Sequence, residues 1–224
     1  MNPSAESDAP ATGGGSGSTN GGGGSGGNGR SGRAPYDLPA VLDIAVAAFN
    51  DYGYDATSMG LLAERLGTSK SAVYYHVSSK EDLLRLALER ALGELEGILT
   101  QPGATDGAAD ERLRYVLRGA VKVLVEELPY VTLLLRLRGN TELERDALAR
   151  RREFDNAVSA LVEEARDAGT LRADVDARTT TRLLFGMINS IVEWYKPGGS
   201  LTQDQLADDV ITVAFDGLRV HGAR

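Results

Sequence analysis

TSMGLLAERLGTSKSAVYYHVSSKEDLL, residues 57–84, decides how the rest of the chain is read. Two short apolar-periodic runs, MGLLAERL and KSAVYYH, stand on either side of Gly67. Each follows a residue able to cap a helix: Thr57 or Ser58 for the first and Ser69 for the second. SSKE at 78–81 then fits a capping box, with Ser78 first and Glu81 three residues on, and a longer helix follows through Leu84, Ala87, Leu88, Ala91, Leu92 and Leu95. Upstream, Leu38, Val41, Leu42, Ala45 and Phe49 recur at the spacing of one helix face, which Gly53 ends. Three helices with a tight turn between the last two make a helix-turn-helix, whose second helix lies in the major groove of DNA.

The side chains of that second helix suit such a task. Ala72 and Val73 are small and apolar, fit for the inner side, while Lys70, Ser71, Tyr74 and Tyr75 can point outward. Lysine and serine donate to phosphate or base edges, and tyrosine donates to phosphate or packs on a thymine methyl. Lys80 can reach a further phosphate, as can the free N–H groups where the next helix begins. Charge argues the other way. The chain carries a net −8, and residues 34–80 hold three basic side chains (Arg65, Lys70, Lys80) against five acidic ones. DNA affinity leans on lysine and arginine at phosphates, so hydroxyls and backbone amides must position the backbone here.

The stretch 36–85 resembles the DNA-binding signature of the TetR family of bacterial transcriptional regulators. The matching residues are Thr57-Ser58, Leu62-Ala63, Gly67, Ser69, Val73-Tyr74, His76, Lys80-Glu81 and Leu83-Leu84. Carried over by position, the resemblance implies Ser58 at a phosphate and Lys70, Ser71 and Tyr75 at the groove, with Ser69 among the DNA-binding residues. It also implies Tyr74 and His76 at backbone or a base methyl, and Lys80 on a phosphate. Two positions depart from the pattern: Gly60 stands where many members have a basic or polar residue, and Val77 where phenylalanine is usual.

The rest of the chain is helical in pattern, with no convincing strand or repeat. Periodic apolar positions run from about 110 to 127, and Pro129 marks a break. YVTLLLRLR follows, ending at Gly139, and Thr141 with Glu144 opens a long helix that Gly169 ends. Another helix runs from Asp176 to Tyr195, and Thr202 with Gln205 opens the last. TQPGATDGAA at 100–109 reads as a loop. The expectation is an all-α chain of about nine helices in three parts: a tail (1–33), a helix-turn-helix domain (34–83) and an effector-binding and dimerisation domain (84–224). Gly13–Gly32 holds 12 of the 27 glycines, too little apolar area to offset chain entropy, so the tail is expected to be disordered. The tail is read as a solubilising leader or, through Arg33 at its end, as a basic arm entering a minor groove.

The larger part sets leucines beside arginines in 130–155, and LLFGMINSIVEWYKPGG follows at 183–199. An apolar interior with an arginine-rich mouth suits a ligand with a hydrophobic tail and phosphates or a carboxylate. Leu133, Leu134, Leu137, Arg138, Phe154, Leu184, Met187, Asn189 and Trp194 are the candidate lining. These stretches resemble a subgroup of TetR regulators that respond to acyl-coenzyme A thioesters. Leu183, Leu184, Ile188 and Ile191, with Val210, Val213, Ala214 and Leu218, supply more apolar positions than one packing face needs. Paired with their copies they would make a four-helix bundle and deliver two reading helices to a palindromic operator. No cofactor or metal is expected.

An enzyme is disfavoured. Cysteine is absent, the only histidines are His76 and His221, and no nucleophile–base spacing, phosphate loop or HExxH occurs. No apolar run is long enough to span a bilayer and no secretion signal is evident, so a cytoplasmic location is expected. Two alternatives stay open: an α-helical adaptor without DNA affinity, and a TetR-type efflux regulator sensing hydrophobic drugs.

Overall fold

A computed structural model describes residues 36–218, so the tail, Arg33 and His221 lie outside the described residues. Those residues form eleven helices, and the fold is all-α, as expected. They are α1 (Leu38–Tyr52), α2 (Met59–Arg65), α3 (Lys70–Tyr74), α4 (Lys80–Leu99), α5 (Pro102–Thr105), α6 (Ala109–Glu126), α7 (Leu128–Leu135), α8 (Glu142–Asp167), α9 (Ala177–Asn189), α10 (Ile191–Trp194) and α11 (Gln203–Leu218). Two single-turn pieces raise the number above nine. One is PGAT, inside the segment expected to be a loop. The other is the end of the helix expected to run unbroken to Tyr195. There the Ser190 hydroxyl donates to the Met187 carbonyl at 2.7 Å, a back-bond that loosens the turn and separates α9 from α10.

The caps set most boundaries. The Asp37 carboxylate accepts from the Ala40 N–H at 3.0 Å, and the Ser58 and Ser69 hydroxyls accept from Leu61 and Ala72 at 3.1 and 3.3 Å. Before α4 the cap is Ser79, not Ser78: its hydroxyl accepts from the Asp82 N–H at 3.0 Å, one residue later than the capping box would have it. Thr141 caps α8, but the Glu144 carboxylate turns back further than a capping box requires and accepts from Gly139 and Asn140 at 2.8 and 2.9 Å. Thr202 and Gln205 complete a reciprocal box. The break expected at Pro129 falls at Glu127, between α6 and α7, with Pro129 in the first turn of α7, and α7 stops at Leu135, short of Gly139.

The α1–α2 corner is closed from inside. Gly53 has φ +87°, a value that favours glycine, and Thr57, 1% exposed, donates its hydroxyl to the Gly53 carbonyl at 2.8 Å. α1 packs on α7 and α4; α4 also meets α6 and α8; α11 lies on α6, and α9 on α8. One continuous cluster of buried side chains runs through these helices, from Val41 to Phe215. A polar knot ties α1, α4 and α7 together at the surface. Arg90 pairs with Glu127 at 2.7 Å and lies over the Tyr130 ring, and the Tyr130 hydroxyl donates to Asp43.

The dimer-face expectation needs correction in its details. Leu184, Ile188, Ile191, Val210 and Ala214 are buried in the chain's own core, because the faces that α9 and α11 turn to their neighbours take them up. Leu183 and Val213, 66% and 65% exposed, remain outside. No helix among the described residues is long and apolar enough to cross a membrane.

Candidate nucleic-acid interface and ligand cavity

α2 and α3 meet across a turn in which Gly67 takes φ +61°. Val73 is buried beneath α3, and the outward side chains are Lys70, Ser71, Tyr74 and Tyr75, with Tyr75 76% exposed. This is the arrangement expected from the spacing. The hydroxyls of Ser69 and Ser71 lie 2.8 Å apart, so the cap residue and its neighbour share one polar point at the start of α3.

The basic side chains divide sharply. Arg65 is engaged by Asp51 at 3.1 Å and by the Tyr52 hydroxyl at 2.7 Å, which hold its guanidinium pKa above the ordinary value. Lys80 is partly structural. Its ammonium donates to the Tyr54 carbonyl at 2.7 Å and the Asp55 carbonyl at 3.5 Å, and lies 4.2 Å from the Tyr54 ring centroid. Only part of its donor capacity is left for a phosphate. Lys70 has no ion pair or hydrogen bond among the described residues. Its stem crosses Gly60: a Cβ built there would lie 2.9 Å from Lys70 Cε and 3.3 Å from Nζ. The glycine that departs from the family pattern is therefore the seat of the lysine that follows in α3. His76 is half-buried, edge-on to Tyr75 at 5.3 Å, and its Nε2 is shut from solvent without a partner. It underpins Tyr75 and, with Lys80, is less exposed than the other described members of the expected contact set.

Two adjoining cavities open in the larger part of the chain. The outer one, about 640 Å³, lies between α8 and α9 and is lined by Arg151, Arg152, Asn156 and Ser159 on one side and Arg178, Thr181, Arg182 and Gly186 on the other. The inner one, about 30 Å³, is walled by Leu95, Ala120, Leu124, Val131, Leu134, Leu135, Phe154 and Ile188. Arg151, Asp155, Phe185 and Asn189 line both and form the neck. The Phe154 and Phe185 rings stand 5.8 Å apart there.

The electrostatics of the outer cavity are lopsided. None of the guanidinium groups of Arg151, Arg152, Arg178 and Arg182 makes an ion pair or hydrogen bond among the described residues. Most other arginines do have such partners, including Arg90, Arg112, Arg118, Arg150 and Arg166. Burial pushes the Asp155 carboxyl up from its ordinary value, and Arg151 draws it partly back. Four arginines against the Glu153 and Asp155 carboxyls of the same lining leave the outer cavity net positive in a chain of net charge −8, an anion-attracting pocket.

Of the expected lining, Leu134, Phe154 and Asn189 face the cavities. Leu133 and Leu184 are core, Leu137 and Met187 pack against it, Arg138 is exposed, and Trp194 is 52% exposed; none of these six lines either cavity. Of the arginines expected at the mouth, Arg151 and Arg152 are there. Arg150 turns to α4, and Arg136 donates to the Asn50 carbonyl at 2.9 Å. Arg178 and Arg182 went unread in the sequence. Their i, i+4 spacing on α9 was visible, but their convergence on α8 is a tertiary fact.

Residues 41–87 match the family model for bacterial regulatory proteins of the tetR family, and residues 106–218 match that for the tetracyclin repressor-like C-terminal domain. The solved structure of SCO3833 from Streptomyces coelicolor A3, a member of the TetR transcriptional regulator family, is 52% identical, with 84% of this chain and 94% of that one covered and a TM-score of 0.76. The HTH-type transcriptional repressor KstR2 of Rhodococcus jostii is 26% identical over 85% of this chain and 93% of its own length. AibR, solved in complex with isovaleryl coenzyme A and operator DNA, is 26% identical, with 79% and 97% covered and a TM-score of 0.67.

Proposed function

The chain belongs to the TetR family of bacterial regulatory proteins, and from that premise we propose that it is a cytoplasmic, homodimeric transcriptional repressor released from a palindromic operator by an acyl-coenzyme A thioester. The observation that carries the effector class is the pairing of two unlike spaces. Four arginines outnumber the two carboxyls, Glu153 and Asp155, around a roomy outer cavity, and an apolar pocket adjoins it across a shared wall. Phosphates on one end of a ligand and a hydrocarbon on the other match that polarity. Repression follows from differential binding: the effector favours the dimer whose reading helices are wrongly spaced for DNA.

α3 carries the reading side chains, chiefly Tyr75, Lys70 and Ser71. Leu183 on α9 and Val213 on α11 form the apolar centre of the dimer face. The test runs in sequence. A duplex selected from a random library should be palindromic, and binding should weaken with salt and require a dimer by sedimentation. Isovaleryl-coenzyme A should then release it. Absence of any salt-dependent duplex binding favours the adaptor instead, and release by hydrophobic drugs alone favours an efflux regulator.

A further inference from the structure

Asp155 stands in the wall shared by the two cavities, half-buried, with no hydrogen bond or ion pair among the described residues. We infer that the anionic ligand of this site enters together with a proton, which settles on the Asp155 carboxylate, and that the neutral acid then donates to an acceptor oxygen of the ligand. The inference rests on the effector reading of the same site and adds a residue and a chemical condition to it.

The surroundings of Asp155 decide which way the proton moves. On α8 the other charged side chains of the lining are Arg151, Arg152 and Glu153, and on α9 they are Arg178 and Arg182. α4, α6 and α7 bring only apolar residues to the shared wall, such as Leu95, Leu124 and Leu134. Burial already raises the carboxyl above its ordinary value, and Arg151 draws it partly back. An incoming polyanion pushes in one direction only. It occupies the arginines that favour the ionised carboxylate, it brings negative charge of its own, and it displaces water from the wall. Each of these disfavours a second anion beside it. The proton comes from solvent: one O–H bond forms, and the carboxylate loses its charge.

Protonation also changes what the wall offers. An ionised carboxylate only accepts hydrogen bonds, whereas the neutral acid donates one. Asn189, from α9, lines both cavities too and donates through its amide. Two donors are then available to the amide and thioester oxygens of an acyl-coenzyme A, all of them acceptors. Linkage fixes the sign. Affinity is greatest where the free protein already carries the proton, falls as pH rises through the raised value, and levels off once the bound form loses the proton as well.

The test is calorimetric titration of the full chain with acetyl-dephospho-coenzyme A, whose diphosphate diester has no proton of its own to exchange near neutral pH. Paired buffers of unlike ionisation heat count the protons, at steps from about pH 4 to pH 8, which begin near the ordinary aspartate value of about 3.9. The wild-type chain should take up a proton on binding, with affinity falling by up to about tenfold per pH unit within the window. Asp155→Asn should abolish both the uptake and the slope and bind more tightly than wild type at neutral pH. Binding by the wild-type chain without proton uptake overturns the inference whatever the variant does. Undiminished uptake in a folded Asp155→Asn protein overturns it too, and either result leaves the effector class standing. No binding of this probe or of acetyl-coenzyme A at any pH overturns the effector class and this inference with it.

Discussion

Arg150 and Glu96 form a two-pronged ion pair between α8 and α4, with Nε 2.8 Å from one carboxylate oxygen and Nη2 2.7 Å from the other. Glu89, two turns earlier on α4, takes Nη1 at 2.7 Å. The carboxylates hold the guanidinium pKa well above its usual range, and the guanidinium holds Glu96 below its own. The next residue, Arg151, lines both cavities, while α4 begins at Lys80 beside the reading helices. One side chain thus links the cavity helix to the helix that leaves the DNA-facing unit.

Arg150→Ala should uncouple the two. The three side chains are partly solvated, so the stability loss should be modest, about 1 kcal/mol. Effector affinity should change little, while effector-driven release from the operator should be blunted. Comparing calorimetric binding with release curves separates the two effects. Equal losses in both would assign Arg150 to the pocket itself.

Tyr75→Ala should weaken operator binding about tenfold, about 1.4 kcal/mol, with an unchanged melting temperature. Its ring is outside the core, so truncation leaves no cavity. Operator titration alongside thermal melts checks both halves.

The two lysines should behave differently. Lys80→Met removes donors from the Tyr54 and Asp55 carbonyls and should cost about 1–3 kcal/mol of stability as well as affinity. Lys70→Ala should leave stability alone and lower the salt slope of binding by about one. Gly60→Ala should do the same to a lesser degree by displacing the Lys70 stem, while the added alanine raises helix stability by up to about 1 kcal/mol. A salt titration of each variant decides.

Asp155 gives the pH dependence. Burial raises its carboxyl above the ordinary value, so the folded chain binds this proton more tightly than the unfolded one. Its contribution to stability is complete below the ordinary aspartate pKa and is lost as pH rises through the raised folded value. Asp155→Asn should remove that decline and raise the melting temperature at neutral pH. Melts from about pH 4 to pH 7 bracket the window above the ordinary value near 3.9.

Local chemistry was legible in the sequence wherever the physics is local. Ser69 and Thr202 cap where they were expected, and Ser58 is the one of the pair Thr57 and Ser58 that caps α2, because capping depends on neighbours three residues away. Before α4 the pattern chose Ser78, because Glu81 follows three residues on, and the cap is its neighbour Ser79. The outward set on α3 followed from one buried valine. The cavity was legible only in half. Leucine-rich runs identify apolar faces, but which leucines line a space and which fill the core depends on helices far apart in sequence. Leu134 and Leu184 look alike on paper and end in different places. The same holds for the arginines: Arg150 and Arg151 are consecutive, yet one clamps α4 and the other enters the neck.

Trp194 is the chain's single tryptophan, half out of water at the end of α10 and part of neither cavity lining. Its indole emission is a label-free gauge of what happens at the end of α9. If two copies meet there, dilution should shift the fluorescence to the red as the ring returns to solvent.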